Sequence, residues 1–147
     1  MQEPISGSTE KKRVLDYTMP SQVFMFGELA VSVEEAMPDL PDIAFATNLC
    51  LEELITNTIQ YGLANAPDHA IHISIDRSPD WLEIFIRDDA PPFDPFAAVP
   101  TPDIEAGVDE RDIGGLGVHL VRTLMDEVLS VHDGAGNLIT LKKTLKP

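Results

Sequence analysis

The chain has 147 residues, 44% of them hydrophobic, which is enough for one domain with a single core and no disulfide or metal staple. Its net charge of −15, from 25 acidic and 10 basic residues, argues against a general nucleic-acid binder, which needs a basic surface. It has no apolar run of membrane-spanning length, no signal-peptide pattern and a single cysteine, Cys50. We therefore expect a cytoplasmic protein that contacts no membrane and has no intrachain disulfide.

The first half of the chain predicts a tail, a strand and two helices. Residues 1–12 are polar, and we interpret them as a disordered tail before one domain over residues 13–147. Residues 13–19 alternate as a strand, and Pro20 can open a helix that runs to about Ala36. A long amphipathic helix follows from Asp42 to Tyr61, where Gly62 is expected as a left-handed cap.

The second half predicts four strands, a long loop and one helix. Residues 69–76 and 81–88 alternate and form an antiparallel hairpin. Residues 90–113 have no periodicity and several prolines, which is typical of a lid or binding loop. A glycine turn at residues 114–117 opens a helix, and strands at about 127–133 and 138–145 close the chain around a turn at residues 134–137.

Two polar side chains of the long helix are candidates for a site. Glu53 and Asn57 are four residues apart, so they lie one turn from each other at the rim of the apolar face. A carboxylate and a carboxamide in that position are costly to bury without partners. The alternative is two exposed polar residues that only flank the core face.

Asp88 and the glycine-rich segment are further candidates. Asp88 continues the inward face of its strand and needs a donor, such as the exocyclic amine of adenine, although a local turn would use an aspartate equally well. Gly114 to Gly117 can bring backbone N–H groups close to phosphates, or can act as a hinge. Arg111 can supply a phosphate-binding cation, or can be an exposed residue of the lid.

The order of these motifs resembles the GHKL ATPase superfamily. Residues 51–57 with Tyr61 and Gly62 resemble its N box, residues 88–95 its G1 box, and residues 114–122 its G2 box. The similarity spans residues 19–145 and is greatest to the anti-sigma-factor serine/threonine kinases of bacteria. The G1 segment departs from the usual pattern, because Ala90 and Pro92 stand where the family has glycines.

The resemblance implies an α+β fold, a two-layer α/β sandwich of the Bergerat type, that binds ATP and Mg²⁺ between its helices and lid. It implies that Asn57 holds Mg²⁺, Glu53 acts as general base and Asp88 accepts from the adenine amine. Gly115 and Gly117 would admit the phosphates to the helix N-terminus. The implied substrate is a serine of an antagonist protein, the implied binding partner is a sigma factor, and a homodimer is possible.

Two other functions remain open from the sequence. The departures at Ala90 and Pro92 favour a regulatory module that binds ATP, or nothing, without transferring phosphate. A detached catalytic domain of a histidine-kinase phosphorelay is the third hypothesis.

Overall fold

The computed structural model describes residues 10–98 and 113–145. Five strands are present in this part of the chain: β1 (Lys12–Pro20), β2 (Ala70–Arg77), β3 (Trp81–Asp88), β4 (Glu127–His132) and β5 (Asn137–Thr144). The helices are α1 (Phe26–Ala36), α2 (Pro41–Asn57), α3 (Pro95–Ala98) and α4 (Ile113–Leu124), with a 3₁₀ turn at Val23–Met25 and a π-helical turn at Thr58–Gly62. None of the described helices is long and apolar enough to cross a bilayer.

The strands form one antiparallel sheet in the order β1-β2-β3-β5-β4. Alternation along the central strands places apolar side chains on one face, since successive residues of a strand point to opposite sides. In register, Ile84 faces Ile75 of β2 and Leu141 of β5. These side chains are fully buried, whereas residues 81, 83, 85 and 87 on the opposite face are partly exposed.

Helices α1, α2 and α4 cover the apolar face of the sheet and complete its core. Their inward side chains pack with the strand isoleucines; the fully buried ones include Leu29, Val33, Leu51, Leu54 and Val121. Full burial of one such side chain is worth about 1.5–3 kcal/mol, so the core accounts for most of the stabilisation. The α+β, two-layer class predicted from the sequence is therefore confirmed.

Cys50 lies in this core, as expected from its position on the apolar side of the long helix. Burial raises the pKa of its thiol to about 11. The thiol is therefore protonated at neutral pH and unreactive, which fits a packing role.

The predicted helix start at Pro20 was wrong. Pro20 is the last residue of β1 and pairs with Ala70, and the helix begins six residues later at Phe26. Proline is tolerated at the end of an edge strand, where its missing N–H leaves no ladder bond unmade. Pairing with β2 therefore outweighs the preference of proline for a first helical turn.

The expected left-handed cap at Gly62 was also wrong. The α-helix ends at Asn57 and continues as the π-helical turn to Gly62, and the positive φ angles in this region are those of Ala64 and Asn65. Asp42 lies in the first turn of α2 and makes no side-chain capping bond. It can therefore complement the helix dipole but does not act as the N-cap.

The glycine-rich segment is not a turn in front of a helix. Helix α4 begins at Ile113, so Gly114, Gly115 and Gly117 are all helical residues. The described residues do not include residues 1–9 of the predicted tail or residues 99–112 of the predicted lid. The single-domain boundaries and the lid remain predictions.

Candidate active site at the end of helix α2

Glu53 and Asn57 form a hydrogen-bonded pair in the last turn of α2. The Asn57 Nδ2 group donates to Oε2 of Glu53 at 2.9 Å and to the Glu53 backbone carbonyl at 2.9 Å. Asn57 is 1% exposed and Glu53 is partly exposed, so the two are more than surface residues beside the core. Because both bonds use Nδ2, neither occupies Oδ1, the atom of the amide that can ligate a cation.

Gly117 brings α4 into direct contact with this pair. A β-carbon added at Gly117 would overlap the Glu53 carboxylate, so the absence of a side chain is what lets the carboxylate lie against the α4 backbone. Helices α2 and α4 are thus packed together at the point where the carboxylate, the carboxamide and the glycine meet. Three of the predicted site residues, Glu53, Asn57 and Gly117, are therefore neighbours in space.

Gly115 and Arg111 were also predicted to bind phosphate. Gly115 is a residue of α4, two positions before Gly117. Arg111 lies outside the described residues. Their assignments stay predictions.

Asp88 ends β3 on the inward face, as the alternation predicted, and is 5% exposed. Its Oδ1 atom accepts from the Ala90 backbone N–H at 2.8 Å and from Nδ2 of Asn137 at 3.0 Å. The first bond is the local turn that was one of the two alternatives for this residue. The second comes from a strand 49 residues away and shows that Asp88 belongs to a tertiary network.

Asn137 is the centre of that network and was missed from the sequence. Its Nδ2 also donates to the Pro91 carbonyl at 3.0 Å, and its Oδ1 accepts from the Phe93 backbone N–H at 3.0 Å. The sequence places Asn137 in a glycine-rich turn, where asparagine needs no further explanation. Only the register that pairs Asp88 with Asn137 reveals its role.

The G1 segment is packed against the end of the long helix. Gly62 lies so close to Ala90 and Phe93 that an added β-carbon would contact both, the nearer at 3.4 Å. Tyr61 and Phe93 stack with their ring centroids 6.2 Å apart. Ala90 is buried, so the residue that replaces a family glycine fills space between β3 and the π-helical turn.

The residues present fit Mg²⁺. The pair offers a carboxylate and an amide oxygen, which are the hard ligands that Mg²⁺ prefers, and Mg²⁺ uses few protein ligands when a substrate phosphate supplies others. Gly117 meets the Glu53 carboxylate itself, so its predicted contact with phosphate stays a prediction. Asn57 would hold the metal, and Asp88 would bind the adenine base of the nucleotide.

The fold and the motif order together define the class of protein: an ATPase domain of the GHKL superfamily. The model of the histidine kinase-like ATPase domain family matches residues 29–143. The chain therefore belongs to the histidine kinase-like ATPase domain family, and the resemblance stated from the sequence is confirmed.

Two known proteins show the range of similarity. The chain is 24% identical to the serine/threonine-protein kinase BtrW of Bordetella bronchiseptica over 105 residues, which are 71% of this chain and 73% of the relative. A solved histidine kinase domain of a blue-light activated histidine kinase from Erythrobacter litoralis is 16% identical, with a TM-score of 0.49. That match covers 86% of this chain but only 62% of the kinase domain.

Proposed function

We propose that this protein is an ATP- and Mg²⁺-dependent protein-serine kinase that phosphorylates an anti-sigma antagonist and sequesters a sigma factor. The observation that carries the proposal is the Glu53 carboxylate, bonded to Asn57 and lying against Gly117 of α4. Membership of an ATPase domain family and the similarity to a serine/threonine-protein kinase support phosphate transfer. The sigma factor, the antagonist and a homodimer rest on the motif resemblance alone.

Each residue of the site has one task in this proposal. Asn57 would hold the metal through Oδ1, because its Nδ2 already donates to Glu53. The same bond fixes the orientation of Glu53, which accepts the proton of the attacking serine hydroxyl. When bound, ATP would supply the γ-phosphoryl group, which passes to the serine oxygen as ADP leaves, and Mg²⁺ would neutralise the charge that develops on it.

A second function is favoured by the network around Asp88. Oδ1 of Asp88 already accepts two hydrogen bonds, and Asn137 holds residues 90–93 against β5. The adenine base of ATP must therefore bind to a segment that is fixed in position and that lacks the family's glycines. If this segment excludes the base, the protein is a regulatory module that binds its partner without catalysis.

The test combines nucleotide binding with phosphate transfer. We would titrate the wild-type protein with ATP by calorimetry, with and without Mg²⁺, beside Asp88→Asn as a variant with an impaired base site. Transfer from labelled ATP to a serine-bearing antagonist would then be compared between the wild type, Glu53→Gln and Glu127→Gln. Glu127 is the control, because it is exposed and lies on β4, away from α2.

The kinase proposal predicts Mg²⁺-dependent binding and a transfer rate lowered by about 100-fold or more in Glu53→Gln only, with ATP affinity retained. Equal rates in Glu53→Gln and the wild type would refute the role of Glu53. No binding at millimolar ATP would favour the regulatory module. Transfer to histidine instead of serine would identify a detached phosphorelay domain.

A further inference from the structure

Charge is divided unequally between the two layers of the molecule. No lysine or arginine occurs between residue 14 and residue 76, the stretch that contains all of α1 and α2. Most of the described cations lie on or beside the strands, including Arg13, Arg77, Arg87 and Lys142. The helix layer is thus much more acidic than the sheet.

Three carboxylates on or beside the sheet are paired with cations. Asp76 bonds Arg13, Glu83 bonds Lys11 at 2.8 Å, and Asp133 bonds Arg87 at 2.9 Å. On the two helices, by contrast, a row of exposed carboxylates makes no ion pair with any residue of the described ranges: Glu28, Glu34, Glu35, Asp42 and Glu52. Their negative potential is therefore not neutralised by the protein itself.

Two large apolar side chains stand among these carboxylates. Phe45 of α2 is 66% exposed, the highest value for a large hydrophobic residue among the described ones, and Val31 of α1 is 52% exposed. The helices are joined where Nδ2 of Asn48 donates to the Ala30 carbonyl. Phe45 is three residues before Asn48 and Val31 directly follows Ala30, so both lie within a helical turn of this junction.

Helical spacing places these groups on the outer sides of two helices that meet at the Asn48–Ala30 bond. Residues 28, 31 and 34 of α1 lie on the side away from the buried Leu29 and Val33. On α2, residues 42, 45 and 52 are likewise exposed. We call this surface the α1–α2 face; it consists of Glu28, Val31, Glu34, Asp42, Phe45 and Glu52.

We propose that the α1–α2 face is a docking surface for a partner protein that presents an amphipathic helix with lysine or arginine beside its apolar stripe. Apolar side chains ringed by uncompensated charge match such a helix, because its apolar stripe covers them while its cations meet the carboxylates. A second copy of this chain fits poorly, since two α1–α2 faces would bring like charges together. The inference does not depend on the nucleotide site and holds whether or not the protein transfers phosphate.

The probe is a synthetic helical peptide of leucine and lysine with apolar residues at helical spacing. Its scrambled isomer has the same composition and charge but no apolar stripe. Binding of both to the full chain would be measured by fluorescence anisotropy at physiological salt, where non-specific attraction is screened. Two variants alter the face: Phe45→Ser removes the apolar anchor, and Glu34→Lys reverses one charge.

Two control variants make the same changes on the opposite layer. Leu129→Ser removes a side chain of β4 that is 58% exposed, and Glu127→Lys reverses an exposed charge of the same strand. Each control therefore matches a face variant in chemistry and in its effect on the net charge. Circular dichroism would verify that all four variants keep the wild-type fold.

The proposal predicts that the amphipathic peptide binds and that Phe45→Ser weakens its affinity about 5- to 30-fold. Glu34→Lys should weaken it by about 5-fold or more, whereas both controls should stay within about 2-fold of the wild type. Absence of binding, equal binding of the scrambled isomer, or an equal loss in the controls would overturn the proposal. A Phe45→Ser variant that changes the sedimentation coefficient of the free protein would instead indicate self-association.

Discussion

At the residue scale, the site depends on one contact between a glycine and a carboxylate. Gly117 allows Glu53 to lie against α4, and Asn57 holds the carboxylate there with a 2.9 Å hydrogen bond. Glycine is unfavourable inside a helix by about 1 kcal/mol relative to alanine. The contact with Glu53 explains why a glycine is nevertheless present in α4.

Gly117→Ala should therefore lower the transfer rate without lowering the stability of the fold. The new methyl group overlaps the end of a flexible side chain, so Glu53 can move away while the helix gains propensity. We expect an unfolding free energy within about 1 kcal/mol of the wild type but a transfer rate lowered by about 10-fold or more, since the carboxylate loses its position. Urea denaturation and the transfer assay measure the two quantities.

Gly27→Ala is the matched control for this substitution. Gly27 is also a helical glycine, but a β-carbon there meets nothing within 4 Å. It should stabilise the protein by about 0.5–1 kcal/mol and leave activity unchanged. Equal loss of activity in both variants would contradict the importance of the Gly117 contact.

At the scale of elements, the β3–β5 pair and the β4–β5 turn form one unit that positions Asp88. Asn137 begins β5 beside Asp88, and Gly136 lies against the Asp88 carbonyl so closely that a β-carbon would overlap it. Asp133 shapes the turn by accepting from the Ala135 and Gly136 backbone N–H groups at 3.1 Å each. The turn is thus part of the site rather than a simple connection.

Asn137→Ala should loosen this unit. It removes one of the two donors to the buried Asp88 carboxylate and the acceptor for the partly buried Phe93 N–H. We expect a loss of about 2–3 kcal/mol in unfolding free energy and faster hydrogen exchange at the Phe93 amide. Asn137→Asp keeps the shape but loses the donor and adds repulsion toward Asp88, so it should be no more stable than the alanine variant.

The Asp133 carboxylate makes the turn sensitive to acid. Its ion pair with Arg87, together with the Ala135 and Gly136 N–H groups, lowers the pKa of Asp133 to about 2 from an ordinary value of 3.8. A lowered pKa stabilises the folded state above pH 3.8, and this contribution disappears as the pH falls through 2. The Tm difference between the wild type and Asp133→Asn should therefore be largest near pH 6 and shrink between pH 4 and pH 2. A difference independent of pH would show that the ionised carboxylate is not responsible.

At the scale of the whole molecule, the net charge of −15 is unevenly distributed. Ion pairs on the sheet are local and are partly exposed, so each is worth little. Repulsion among the carboxylates of α1 and α2 acts over longer distances and opposes the compact state. Salt therefore weakens both the stabilising ion pairs and the destabilising repulsion. The larger of these two effects decides whether added salt raises or lowers the stability of the fold.

We expect that repulsion dominates and that salt stabilises the protein. Raising NaCl from about 10 mM to about 0.5 M should raise the Tm by roughly 2–4 °C, equivalent to about 1 kcal/mol for a domain of this size. Replacing Glu34 and Glu52 together by glutamine should reduce the increase, whereas a decrease of Tm with salt would show that the ion pairs dominate. Thermal melts followed by circular dichroism give both values.

The sequence alone determined the central strands and the candidate side chains on α2 and β3, and the resemblance carried by its motifs implied the α+β class. These features are local: alternation fixes which way Asp88 faces, and a four-residue spacing fixes that Glu53 and Asn57 share a side. The limits of β3 were predicted correctly at Trp81 and Asp88. The resemblance to the ATPase superfamily also rests on local motifs in a fixed order, and for that reason it could be stated without a structure.

Only the tertiary structure decided which distant residues meet. Gly117 lies 64 positions after Glu53, and Asn137 lies 49 positions after Asp88, so no local pattern reports either contact. The same holds for Pro20, whose place in β1 depends on pairing with β2. Local periodicity sets the direction of a side chain, but helix packing and strand register set its neighbours, and these depend on the free energy of the whole core.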